Sequence, residues 1–140
     1  MTKNFHTSEF KCKCGCNIPE VDVLDNLEEL MNQLQRIREY FGVPITINSG
    51  YRCARHNKSV GGVKRSQHVL GKACDIVVAG MSPDEVADEI EYMIRFCGLD
   101  IGGLGRYNTF THIDIRDDES GLIEWDKRWA NIKIKKELQE

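Results

Sequence analysis

No apolar run in this sequence approaches the roughly 18 residues that span a bilayer, so membrane insertion is not expected. The first residues, Met1-Thr2-Lys3-Asn4-Phe5-His6, lack the apolar core of a signal peptide. The chain is therefore expected to be made in the cytoplasm, and any action outside requires another exit route. Basic charge is not in excess either. A net charge of −3 argues against a nucleic-acid partner, because neutralising phosphates needs a basic surface. Two local basic patches, Arg52-Arg55-Lys58 and Lys64-Arg65, remain available to a small anionic substrate. No internal repeat, linker or low-complexity tract divides the chain, so residues 1–140 read as one small domain with a single core, expected to be monomeric.

Cysteine is the exception to this list of scarcities. Six cysteines without a signal peptide argue for reduced thiols or metal ligation rather than a disulfide framework. Three of them form Cys12-Lys13-Cys14-Gly15-Cys16, within an irregular N-terminal arm of residues 1–19. This spacing would put the three thiols on one face of a strand, but it is not the CxxC of common zinc ribbons. Two readings stand side by side: a structural metal site, and thiols that pack or pair locally, with Cys53 as a partner.

From Pro19 to Phe41, apolar residues at Leu24, Leu27, Leu30, Met31, Leu34 and Ile37 recur at three- and four-residue steps, which predicts an amphipathic helix. Pro19 and Gly42 supply its start and stop signals. Val43 to Asn48 reads as a short strand delivering Ser49-Gly50-Tyr51-Arg52 at a sheet edge. Residues 53–65 read as a short helix and a flexible loop, with His56 exposed. Ala73 to Ala79 is a second strand. Ser82-Pro83-Asp84-Glu85 starts a second long helix with apolar face Val86, Ile90, Met93, Ile94 and Cys97. Gly102-Gly103-Leu104-Gly105 does not open a helix, so it predicts close strand approach rather than a nucleotide site. Phe110 to Ile115 alternates as a strand. In the charged segment 117–140, Trp125 and Trp129 read as packing anchors of a closing helical turn.

Three residues carry the chemistry. His68 and Asp75 flank Gly71, and His112 lies in the downstream strand. Two nitrogens and one oxygen are a set that catalytic zinc uses, leaving a fourth position for water. Asp75 and His112 also fall within otherwise apolar strands, where a buried carboxylate is costly unless paired or bound to metal. Asp114 and Arg116, two and four positions beyond His112, share its face of the strand. Arg52 presents a planar fork suited to a carboxylate.

Ser49-Gly50-Tyr51-Arg52, Ser66-Gln67-His68 with Gly71, Ala73 and Asp75, and His112-Ile113-Asp114 together resemble the zinc D-Ala-D-Ala carboxypeptidases. That group also includes D-alanyl-D-alanine dipeptidases, phage murein endopeptidases and the hedgehog signalling domain. The resemblance spans residues 5 to 116. It implies an α+β fold, with a central, mainly antiparallel sheet and helices packed on one side. It implies that His68, Asp75 and His112 ligate one Zn²⁺. It also implies that Arg52 holds a substrate carboxylate, with Tyr51, Ser66 and Gln67 contributing to substrate binding. Asp114 and Arg116 are the catalytic candidates: Asp114 as base or as the group orienting a ligand histidine, Arg116 as oxyanion stabiliser or partner of Asp114. The sequence departs from the dipeptidases and some endopeptidases, which carry an acid three residues before the last histidine; here that residue is Thr109.

The reading is a zinc peptidase acting on peptidoglycan stem peptides, of the D-Ala-D-Ala carboxypeptidase type. Release through phage lysis, carriage on a virion and retention in the cell stay open. The alternatives are a zinc-containing binding module of the same fold and a metal or redox protein built on Cys12, Cys14 and Cys16.

Overall fold

A computed structural model describes residues 2–16, 20–63 and 65–128. Pro19, Lys64 and Trp129 lie outside them, so the start signal, half of one basic patch and one of the two tryptophan anchors do too.

Helix α1, Val21–Phe41, buries Leu27, Leu30, Met31, Leu34 and Ile37. Each buried aliphatic side chain contributes roughly 1.5–3 kcal/mol relative to exposure, so this stripe rather than local propensity holds the helix. Leu24, one turn earlier, is exposed. The helix stops at Gly42, whose φ of 68° allows its N–H to close on the Arg38 carbonyl. Helix α2 is the short turn Ala54–Ser59. Helix α3, Pro83–Phe96, begins in a reciprocal cap: the Ser82 hydroxyl accepts from the Glu85 N–H, and the Glu85 carboxylate accepts from the Ser82 N–H. Cys97 caps the other end and is exposed, not part of the apolar face. Among the described residues no helix is long and apolar enough to cross a membrane.

Among the described residues five strands complete the fold: β1 Ile45–Ser49, β2 Ala73–Val78, β3 Gly103–Arg106, β4 Thr111–Asp114 and β5 Ile123–Asp126. They form one sheet in the order β1-β2-β4-β3-β5. The pairings β1–β2, β2–β4 and β3–β4 are antiparallel, while β5 pairs with β3 in parallel. The α+β architecture with a mainly antiparallel sheet is therefore present, with one parallel edge. Trp125 sits on β5 rather than in a closing helical turn. Its segment takes its shape from the β3 edge, a long-range partner that local composition does not reveal.

Strand alternation sorts the two faces of the sheet. Ile47, Ile76, Leu104 and Ile113 join the buried stripes of α1 and α3 in one core. Arg106 ties α3 to this side by meeting Asp84, Asp88 and Glu91, three acids on one helix face, at 2.8, 2.7 and 3.3 Å. The opposite face carries a row of register partners: Asp75 faces His112, His112 faces Gly105, and Gly105 faces Trp125.

Candidate metal centre and cleft

Register alone brings two of the three candidate ligands together, since Asp75 on β2 and His112 on β4 are direct cross-strand partners. His68 arrives from the loop before β2. Its Nδ1 lies 2.8 Å from the Gly50 carbonyl. A carbonyl can only accept, so Nδ1 donates to it and Nε2 is the nitrogen left facing the cleft. That Nε2 faces Asp75 Oδ1 at 3.3 Å. His112 uses its nitrogens the other way round. Nδ1 lies 3.0 Å from Asp75 Oδ1, and Nε2 lies 2.8 Å from Asp114 Oδ2. The ligand atoms of His68, Asp75 and His112 all lie within 4.8 Å of one another, and all three residues are buried.

The electrostatics fit a cation here. Burial works to raise the Asp75 carboxyl, but hydrogen bonds to His112 and His68 outweigh it and hold the group down at about 2. Asp114 is likewise pushed up by burial and pulled down to about 2 by Arg116 and His112. Burial disfavours the charged form of His112, yet its bonds to Asp114 and Asp75 raise its pKa overall. A metal ion held at His112 Nδ1 would take the place of the hydrogen bond this nitrogen now shares with Asp75 Oδ1. Two imidazole nitrogens and a carboxylate oxygen, preorganised and facing one cleft, form a donor set suited to zinc.

Asp114 has no solvent exposure. Besides His112 it accepts two bonds from the Arg116 guanidinium, at 2.8 and 2.7 Å. Arg116 lies 5.0 Å above the Trp125 ring, and that ring stands 5.0 Å from His112.

These residues open onto a cleft of about 510 Å³, within the range that holds a small ligand. Its rim carries Arg52, Arg65, Arg116 and Lys127, and its aromatic wall is Tyr107, Phe110 and Trp125. Tyr107 and Phe110 stack at 4.4 Å, and the Tyr107 hydroxyl accepts from the Trp125 indole at 3.0 Å. Among the described residues lining the cleft, Asp75 is the sole carboxylate. Thr109, at the position where part of the resembled group carries an acid, is exposed.

The sequence-predicted substrate residues divide. Arg52, Ser66 and Gln67 line the cleft. Arg52 is held by Ser49 Oγ, Asn57 Oδ1 and Asp75 Oδ2 at 3.2, 3.2 and 3.5 Å. Ser66 Oγ accepts from the His68 N–H at 3.2 Å, and Gln67 Oε1 is buried without a hydrogen-bond partner. Tyr51 does not reach the cleft. It is buried in the core, with its N–H bonded to the Phe10 carbonyl at 2.8 Å. Of the basic patches, Arg65 lines the cleft, while Arg55 and Lys58 are exposed on α2. The aromatic wall, Lys127 and buried Asn57 were not singled out as site residues from the sequence. The pairing of β5 with β3 brings Trp125 and Lys127 to the site, beside Tyr107 and Phe110 of the β3–β4 connection.

A sheet with helices on one face and a His-Asp-His donor cluster on the other defines a metallopeptidase-like α+β domain. A scan against protein families matches residues 3–114 to Peptidase M15. The chain belongs to this family, the zinc D-Ala-D-Ala carboxypeptidase family. A search of curated proteins finds no match.

Proposed function

We propose that this protein is a zinc-dependent peptidase hydrolysing peptidoglycan stem peptides, of the D-alanyl-D-alanine carboxypeptidase type. The observation carrying this reading is the convergence of His68 Nε2, Asp75 and His112 Nδ1 on one open cleft whose rim is cationic. Stem peptides end in carboxylates, and Arg52, Arg65 and Lys127 supply complementary charge.

When bound by His68, Asp75 and His112, zinc supplies Lewis acidity, bringing the ionisation of water to about pH 7 and polarising a carbonyl. The chain's own residues do the rest. Arg52, fixed by Asn57 and Ser49, holds the substrate carboxylate. Ser66 and Gln67 form the part of the cleft wall against which the peptide lies. Asp114 accepts from His112 Nε2–H and so keeps the Nδ1 lone pair aimed at the cleft. Arg116 neutralises Asp114 and brings positive charge to the cleft wall, where an oxyanion develops.

One observation favours a second reading, a zinc-containing binding module without hydrolysis: among the described cleft residues no carboxylate other than Asp75 is available as a base. Incubation with defined muropeptides, with and without chelator, separates the two by product mass. Chelator-sensitive cleavage supports the peptidase. Retained zinc and bound peptide without products supports the module. Unchanged hydrolysis by a His112→Ala variant sinks both.

A further inference from the structure

The N-terminal arm and the start of α2 meet in a second cluster, which shares no residue with the His-Asp-His site. The sulfurs of Cys12, Cys14, Cys16 and Cys53 all lie within 4.8 Å of one another. Cys12 Sγ is 3.3 Å from Cys14 Sγ and 3.8 Å from Cys53 Sγ, and Cys14 Sγ is 3.6 Å from Cys53 Sγ. Four sulfurs around a tetrahedral zinc, each ~2.3 Å from the metal, stand ~3.8 Å apart along the edges. The separations here are of that size. All four cysteines are free thiols, so each can ionise to a thiolate ligand.

The backbone is arranged for such a knot. Gly15, with φ of +81°, turns the chain so that its N–H closes on the Cys12 carbonyl at 3.1 Å. That turn folds Cys14 and Cys16 back towards Cys12. Two further N–H groups aim at sulfur: Cys53 N–H at Cys12 Sγ and His56 N–H at Cys53 Sγ, both at 3.4 Å. Donors of this kind offset the negative charge that thiolates bring.

We infer that Cys12, Cys14, Cys16 and Cys53 form a closed tetrathiolate site for a structural zinc ion, distinct from the His68–Asp75–His112 centre. Four protein ligands leave no open position, which marks a structural rather than a catalytic role.

The site has a clear mechanical consequence. It clamps the arm onto the loop Gly50–Cys53. Phe10 packs against Gly50 so closely that a Cβ there would stand 2.6 Å from Phe10 Cα. The same loop provides the Gly50 carbonyl that orients His68, and it carries Arg52. The tetrathiolate knot therefore braces the loop that positions one ligand of the cleft and one substrate contact.

Cobalt substitution reads the knot independently of activity. In a His112→Ala variant, purified reduced and then loaded with Co²⁺, one equivalent is expected to bind with the intense visible bands of a tetrahedral site and sulfur-to-cobalt charge transfer. The wild-type protein is expected to hold two zinc equivalents by elemental analysis. A Cys14→Ser/Cys16→Ser variant is expected to hold one equivalent and to lack the thiolate bands. Absence of thiolate charge transfer in the His112→Ala protein overturns the inference. So does a disulfide among these four residues in the non-reduced denatured mass of protein purified without added reductant. Should the double cysteine variant fail to fold, the His112→Ala spectrum alone decides. Failure of the peptidase reading alters only the other equivalent.

Discussion

Asp114 Oδ2 lies 2.8 Å from His112 Nε2, while Asp75 Oδ1 holds the same ring at Nδ1, 3.0 Å away. One imidazole thus stands between two carboxylates, and only Asp75 lines the cleft. Asp114 is sealed behind the ring, so its effect on a cleft reaction passes through His112. An Asp114→Asn variant keeps an acceptor for Nε2–H but loses the negative charge that makes His112 a better donor to metal. Its zinc affinity is expected to fall roughly 10–100-fold, measured by competition with a chromophoric chelator. Unchanged affinity with turnover abolished would instead identify Asp114 as the base.

The same pair gives the metal-free protein a defined response to acid. The Asp114 carboxyl is held down at about 2 in the fold, against about 3.9 in an unfolded chain. A depressed pKa contributes stability that is present above about pH 4 and lost as the pH falls towards 2, on the order of 2 kcal/mol. His112 works in the opposite sense. Its pKa is raised, so its contribution is present below about pH 6.5 and is lost as the pH rises through the folded value. Urea unfolding of the metal-free protein should therefore show greatest stability on the acid side of neutrality. Asp114→Asn should narrow the difference between pH 6 and pH 3. A difference equal to that of the unsubstituted protein would remove Asp114 from this account.

Arg52 is the candidate for reading a substrate carboxylate, and its guanidinium is already fixed by Ser49, Asn57 and Asp75. A charge-assisted hydrogen bond contributes about 1.5–3 kcal/mol. Arg52→Gln is thus expected to cost about 10–100-fold in kcat/KM on peptides with a free C-terminal carboxylate, and much less on the C-terminal amides. Zinc content is measured alongside, because Arg52 also touches Asp75. An equal loss on both substrates would assign Arg52 to bracing Asp75 rather than to recognition.

Much of this arrangement is legible in the sequence. The stripes and caps of α1 and α3 follow from periodicity and from Ser82 and Gly42. Asp75 and His112 stood out because each interrupts an apolar strand. Alternation also put Asp114 on the face of His112. Which nitrogen of His112 meets which carboxylate depends on side-chain rotamers, and so it stayed open. The burial of Tyr51 is not legible in the sequence because a sheet-edge loop is normally exposed; here the N-terminal arm packs against it, and that packing is long-range. β5 is hidden for the same kind of reason: Ile123-Glu124-Trp125-Asp126 is too short and too charged to announce a strand without its partner β3.

The glycines of β3 are the site's least obvious component, and they give the sharpest steric test. A Cβ on Gly103 would overlap both carboxylate oxygens of Asp114. One on Gly105 would stand 2.6 Å from Cε2 and Nε1 of Trp125. The two positions guard different things. Gly103 gives Asp114 room to lie flat against the sheet behind His112, whereas Gly105 lets the Trp125 ring cross the strand to reach His112 and Arg116. Overpacking of this kind costs about 1–3 kcal/mol, so both alanine variants should melt several degrees lower. Their functional signatures should nevertheless separate. Gly103→Ala is expected to weaken zinc binding, as Asp114→Asn does, because the displaced carboxylate no longer holds His112. Gly105→Ala is expected to retain zinc while shifting Trp125 fluorescence and weakening peptide binding. Wild-type zinc affinity in Gly103→Ala would mean that Asp114 relaxes without disturbing His112, and the positioning role assigned to it would fall.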